Sequence, residues 1–268
     1  MAELARAYRR EKRERRTVLA GQLVLFALLM GSWSLVSGRL VDPIFLSDPE
    51  SVATAFWTLL IDGSLLFHLR FTLVEMTLGY ALGASSGVLA AVLISALPGA
   101  EAVARPFALA GYGVPKIALA PLLIAWFGIG ILPKVVLAAT MVFFIVYFTT
   151  LSGIASIDPE LRATIRVMSP SRAAVLLKLT LPSTVPYIAT ALRISLPAAL
   201  IGAIIGELLS SNRGVGYLIS AASTRYDAAQ VFAGIASLLL FVLLMNAIVS
   251  LLERSLLRWR PKLSGAME

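Results

Sequence analysis

"VVLAATMVFFIVYFTTLSGIASI", from Val135 to Ile157, runs for 23 residues without a charged side chain. A helix needs roughly 20 apolar residues to cross the hydrocarbon core of a bilayer. Its own i→i−4 bonds then satisfy the backbone groups that lipid cannot. Three other runs have the same character: Val18 to Val36 with 19 residues, Met76 to Leu97 with 22 and Val231 to Leu252 with 22. The 268-residue chain is 59% hydrophobic and 14% charged, whereas a soluble domain carries about a quarter charged residues. These runs predict an all-α integral membrane protein.

Two further spans are interrupted. Pro106 to Phe127 contains Pro115 and Lys116, and Leu181 to Leu208 contains Pro182, Pro186, Arg193, Pro197 and Glu207. Breakers and charges are tolerated at membrane depth where they face protein or a water-filled path. Six spans are therefore expected, at about 18–37, 69–97, 106–127, 134–157, 181–208 and 229–252. They form one membrane domain (18–257) between a basic N-terminal tail (1–17) and a C-terminal tail (258–268).

The net charge of +8 does not point to nucleic acid, because of where the charge lies. Seven of the 23 Lys and Arg fall between Arg6 and Arg16, and Arg254, Arg258, Arg260 and Lys262 follow the last apolar run. Gly38 to His68 holds only Arg39 against Asp42, Asp48, Glu50 and Asp62. The positive-inside rule then puts both termini in the cytoplasm and that loop outside. The N-terminal apolar run is too long for a signal peptide and has no A-x-A-like cleavage site, so it reads as a retained anchor. With no cysteine and one histidine, His68, thiolate and histidine-cluster metal sites and a cysteine nucleophile are excluded.

Within the outer loop, Asp48, Pro49 and Glu50 spell a helix start, and Val52, Ala55, Phe56, Leu59 and Leu60 fall on one face. This predicts a short amphipathic surface helix. In the second span Gly79, Gly83 and Gly87 share a face that admits another helix closely, either within one subunit or across a dimer axis. Glu75 continues that face and must have a partner, as a member of a structural ion pair or as a gating or substrate residue. Pro115 and Pro121 weaken the third span, for packing or to open carbonyls onto a pathway. Lys116 is expected to snorkel to the cytoplasmic side.

"IDPELRATIRVMSPSRAAVLLKLTLPS" (Ile157 to Ser183) separates the fourth and fifth spans. Asp158, Pro159 and Glu160 start a helix, with Leu161, Ile165 and Met168 on one face and Arg162 and Arg166 on another. Pro170 ends it at Ser169, and Ser171 caps a second helix expected from Arg172 to Leu181. The product is a basic two-helix elbow on the cytoplasmic surface, facing either lipid headgroups or a partner protein.

This elbow resembles the coupling loop of ABC importer permeases, which docks on the ATPase subunit. The rest of the chain is similar to the nitrate/sulfonate/taurine branch, which includes permeases for thiamine-precursor pyrimidines. The resemblance rests on "TLVEMTLGYALG" (Thr72 to Gly83), "PKIALAPLLIAWFGIG" (Pro115 to Gly130), "LPSTVPYIATALRISLPAALIGAIIGE" (Leu181 to Glu207) and "RGVGYLI" (Arg213 to Ile219). Ala163, Thr164 and Ile165 stand where the family usually has Glu-Ala-Ala, and Ser169-Pro170 where it has a turn glycine.

The resemblance implies a type I ABC importer permease in the bacterial inner membrane. It also implies a second copy of the chain, two cytoplasmic ABC ATPase subunits that bind ATP and magnesium, and an extracytoplasmic binding protein. No phosphate-binding loop occurs in this chain, which fits ATP bound elsewhere. Asp158, Pro159, Glu160, Arg162, Arg166, Ser169, Pro170, Ser171 and Arg172 become the coupling residues. Pro115, Pro121, Glu75, Glu207 and Asn212 become candidates for the path or gate, with Glu207 alternatively paired to Arg193 or Arg213. The expected cargo is a small anion such as nitrate, a sulfonate or taurine, or else a small heterocycle. A secondary transporter or channel would show inverted repeats or a row of intramembrane acids, and neither is evident. A membrane enzyme would need clustered His, Asp or Glu or a serine paired with a base, and the carboxylates here are scattered.

Overall fold

The computed structural model describes residues 2–168 and 171–256. Apart from a single bridge between Ser37 and Val41, its described regular structure is all helical. Helix α1 spans Ala2–Val36, so the basic segment continues the first membrane helix instead of forming a separate tail. Its apolar stretch Thr17–Val36 is largely exposed in the single chain. Helix α2, Pro49–Ile61, begins as its sequence predicts: Asp48 accepts the Ser51 N–H at 2.9 Å, and Pro49 occupies the first turn. Val52 and Leu59 are buried in a cluster with Leu65, Leu218 and Ala233, and Trp33 packs against it. The amphipathic face thus seats α2 on the helix bundle.

Helix α3 covers Ser64–Ala96, α6 Ile131–Ala155, α9 Leu181–Leu209 and α11 Ala228–Leu256. All four contain stretches long and apolar enough to cross a membrane. The expected third span is divided into α4, Ala100–Gly113, and α5, Lys116–Phe127, bent by 89° from one another. The break has a plain cause: Pro115 offers no N–H and disfavours helical geometry at Val114, which is extended at φ −62°, ψ 130°. Lys116 opens α5 directly after the break. Its Nζ turns back to the Gly111 and Tyr112 carbonyls that the broken helix leaves open, and lies over the rings of Tyr112 and Phe144.

Helix α6 is the centre of the bundle, sandwiched between α3 and α9. On the α3 side the approach runs along Gly79, Gly83 and Gly87. A Cβ on Gly79 would lie 2.5 Å from Ala138 Cβ, and one on Gly87 2.8 Å from the Phe143 carbonyl. These glycines therefore pack within the chain. Gly202 and Gly206 of α9 do the same from the other side, against Ala138 and Lys134. In a bilayer such close approach supplies the packing energy that hydrophobic exclusion cannot. Met76, Ala84, Val142, Val146, Ala199, Leu200 and Ala203 fill the core between the three helices.

The elbow differs from expectation in its second arm. Helix α7 is Pro159–Met168 and α8 only Arg172–Val175. A five-residue π-helical stretch, Leu176–Thr180, then runs into α9 with Thr180 and Leu181 both helical. Pro182 directly follows the π-helical stretch, where the Leu181 N–H reaches back five residues to the Leu176 carbonyl, so the proline falls where the i→i−4 ladder is already interrupted. The second arm is therefore the beginning of the long helix, not a separate one.

Candidate functional site

The elbow lies at the end of the bundle where α6 finishes and α9 begins. The opposite end, where α3 and α6 begin and α9 finishes, holds a group of buried polar side chains. Lys134, one turn into α6, is 5% exposed, and Glu75 on α3 is 3% exposed. Lys134 Nζ donates to Glu75 Oε1 at 2.7 Å and to Ser211 Oγ at 2.8 Å. Glu207, in the last turn of α9, is 1% exposed. Its Oε1 accepts the Thr72 hydroxyl at 2.7 Å and its Oε2 the Gly216 N–H at 2.7 Å. Thr72 Oγ1 also accepts the Val215 N–H at 2.9 Å.

These bonds close the start of helix α10, Val215–Thr224, onto the bundle. Its N-terminus has no side-chain cap of its own. Glu207 takes that role from a neighbouring helix, placing a carboxylate where free N–H groups favour negative charge. The preceding loop is bound as tightly. Ser211 Oγ donates to the Arg213 carbonyl at 2.6 Å and accepts the Arg213 N–H at 3.2 Å. The Gly214 N–H donates to His68 Nδ1 at 3.1 Å. Gly214 has φ +101°, and a Cβ there would strike the Glu207 carboxylate. The site is a latch: two elements of the bundle wall, α3 and α6, grip the α9–α10 loop through charged and polar groups, of which Thr72, Glu75, Lys134 and Glu207 are buried.

Glu75 takes Lys134 as its ion-pair partner. Glu207 bonds to Thr72 and Gly216, not to the arginines expected for it. Arg213 instead lies over the Phe71 ring. Asn212 is exposed in the same loop, near the latch but outside it, and Pro115 and Pro121 are exposed on the broken span. Lys134, Thr72, His68 and Ser211 were not singled out from the sequence. Lys134 had a signal, since a lysine at the first position of an expected span must find a partner or reach the surface.

At the elbow, Asp158 Oδ1 accepts the Glu160 N–H at 2.8 Å and Ser171 Oγ accepts the Ala174 N–H at 3.1 Å. Arg162 and Arg166 lie on α7, and Arg172 opens α8. Ser169 and Pro170 lie outside the described residues. Among the described residues no three His, Asp or Glu side chains gather as a metal site.

A bundle of apolar helices with a polar latch at one end and a helical elbow at the other is a multi-pass membrane transport subunit. The chain belongs to the family of binding-protein-dependent transport system inner membrane components, whose profile matches residues 83–258. It is 32% identical over 97% of its length to SsuC of Bacillus subtilis (strain 168), assigned as an aliphatic sulfonates transport permease, of which it covers 95%. It is 33% identical over 89% of its length to the formylaminopyrimidine transport permease ThiX of Halalkalibacterium halodurans, again covering 95% of that protein. Its fold is that of a solved bacterial ABC transporter for import of the acidic polysaccharide alginate, with a TM-score of 0.62 at 17% identity over 89% of this chain and 92% of that one. The chain is thus a permease component of a binding-protein-dependent ABC importer, a transport subunit and not an enzyme.

Proposed function

We propose that this chain forms one half of an alternating-access path for a small organic anion of the sulfonate type, in a complex of two copies with two ATPase subunits and an extracytoplasmic binding protein. ATP and magnesium belong to the ATPase subunits. Both termini and the elbow face the cytoplasm, and the latch lies at the outer end.

One observation carries the reading: α9 connects the elbow to the latch without interruption. Its 29 residues extend about 43 Å at 1.5 Å per residue, enough to cross the bilayer. A displacement imposed on α7 and α8 by a nucleotide-driven partner reaches Glu207 through that helix. There the α9–α10 loop either stays gripped by α3 and α6 or moves with α9. The anion assignment is supported by the sulfonate-type relative, whereas the formylaminopyrimidine permease supports a heterocycle as the alternative cargo.

The test is charge reversal at the elbow. Arg166→Glu together with Arg172→Glu is expected to leave membrane insertion intact while co-purification with an ATPase subunit and ATP-driven uptake both fall. Unchanged co-purification and uptake would remove the elbow from the coupling path.

A further inference from the structure

Stability alone does not account for the latch. A buried ion pair holds a protein together no better than apolar side chains packed in the same volume. Yet Lys134, Glu75, Glu207 and Thr72 are all committed to the short connection between α9 and α10. What such a network does supply is a fixed position for whatever that connection carries. It carries Arg213. Ser211 holds both backbone groups of Arg213, and His68 holds the next N–H. The Arg213 side chain is left exposed, with its guanidinium 5.1 Å from the centre of the Phe71 ring.

A second guanidinium occupies the same ring. Arg70 lies 4.9 Å from the centre of Phe71 and 4.5 Å from that of Phe67. The two positive groups are therefore no farther apart than their two distances to Phe71 allow. Among the described residues neither has a carboxylate partner. Glu75 on α3 and Glu207 at the end of α9 are buried and engaged by Lys134, Thr72 and Gly216. An exposed cation gains little from an aromatic face, while two like charges on one ring repel.

We propose that Arg70, carried by α3, and Arg213, positioned by the latch, form with Phe71 a binding site for a small oxyanion of sulfonate, carboxylate or phosphate chemistry. A guanidinium meets two oxygens of such a group with two parallel N–H···O bonds. The ring beneath offers an apolar face to the ligand's carbon chain. Only the purpose of the site, receiving cargo at the mouth of the path, rests on the transport reading above; the binding itself does not. Lipid phosphate shares this chemistry, so the test separates the two sources.

The full chain is placed in phosphatidylcholine nanodiscs and its arginines are modified with phenylglyoxal, each site being followed by peptide mass spectrometry. Millimolar ethanesulfonate is expected to slow modification of Arg70 and Arg213 together, with one concentration dependence, while neutral methanesulfonamide and matched chloride do not. Arg70→Gln is expected to weaken protection of Arg213 about tenfold, the effect of losing one charge-assisted contact. In the complete complex, Arg70→Gln and Arg213→Gln are each expected to raise the KM for ethanesulfonate uptake about tenfold with ATPase activity retained. Absence of protection at both arginines overturns the site. Protection that requires phosphatidylglycerol in the nanodisc, with none from ethanesulfonate, makes it a lipid anchor and overturns its role in cargo reception. Because protection is read on the permease chain alone, it stands or falls separately from coupling to an ATPase.

Discussion

Lys134 reaches Glu75 at 2.7 Å and Ser211 at 2.8 Å, so one ammonium group ties the α3–α6 interface to the loop that leads into α10. Removing it strands a carboxylate that is 3% exposed. Breaking a buried pair from one side costs about 3–5 kcal/mol, whereas replacing both partners is nearly neutral. Lys134→Met is therefore expected to lower the unfolding temperature in detergent sharply, and adding Glu75→Gln to restore most of the loss. A double-mutant cycle of thermal unfolding checks this. Equal, additive losses from the two changes would show that the contact carries no coupling.

Glu207 acts through its two oxygens, each with one donor: the Thr72 hydroxyl and the Gly216 N–H. Glu207→Ala leaves both donors unmatched, at about 1–3 kcal/mol each for buried groups. Glu207→Gln keeps one acceptor and should fall between Ala and the native protein. Amide hydrogen exchange at Val215 and Gly216 is the direct readout. It should rise strongly in the Ala variant, modestly in the Gln variant, and stay unchanged in the body of α6.

The sequence made much of this legible, and its failures have physical causes. Charge-free runs and the face of Gly79, Gly83 and Gly87 are local patterns, so spans and one packing surface could be read from spacing. The Asp48-Pro49-Glu50 start was also local, and α2 begins there. The latch was not local. Thr72 and Glu207 are separated by 135 residues and Lys134 and Glu75 by 59, and no periodicity names a partner across such distances. For Glu207 the sequence leaves open a place in the path or gate and a pairing with Arg193 or Arg213, because charge seeks charge. Instead, burial at a helix start favoured a hydroxyl and a backbone N–H. The elbow's second arm differs because Pro182 reads as a helix breaker, but the π-helical stretch before it carries the helix through the missing N–H.

The close contact between α3 and α6 predicts a graded response to size. A Cβ at Gly83 would come within 2.8 Å of Val142 Cβ and 3.0 Å of Ala139 Cα, and neither neighbour can yield without moving backbone. Gly83→Ala is expected to cost about 1–3 kcal/mol by overpacking, and Gly83→Leu to prevent assembly of the bundle. Gly99, with open space around it, provides a contrast in which any loss comes from its φ of +75° alone. Thermal unfolding in detergent across Gly83→Ala, Gly83→Leu and Gly99→Ala tests the ranking. Equal stability of Gly83→Ala and the native protein would mean the helices are not in contact there.

At α2 the expected effect depends on pH. The Ser51 hydroxyl and N–H hold the Asp48 carboxyl below its ordinary range. A carboxylate with a depressed folded-state value stabilises above its unfolded value, and that contribution is lost as pH falls through the folded value. The cap matters because the first N–H groups of a helix have no partner within it. Asp48→Ala removes both the cap and its titration, so the variant should be less stable than the native protein at neutral pH. The difference should shrink as the medium is acidified below the ordinary aspartate range. Asp48→Asn keeps an acceptor without the charge and should show a smaller, pH-independent difference at and above neutrality. Protection of the Ser51 and Val52 amides against hydrogen exchange, followed across that range, reads the cap directly. A difference between Asp48→Ala and the native protein that persists unchanged into acid would remove the charge from the account of this helix start.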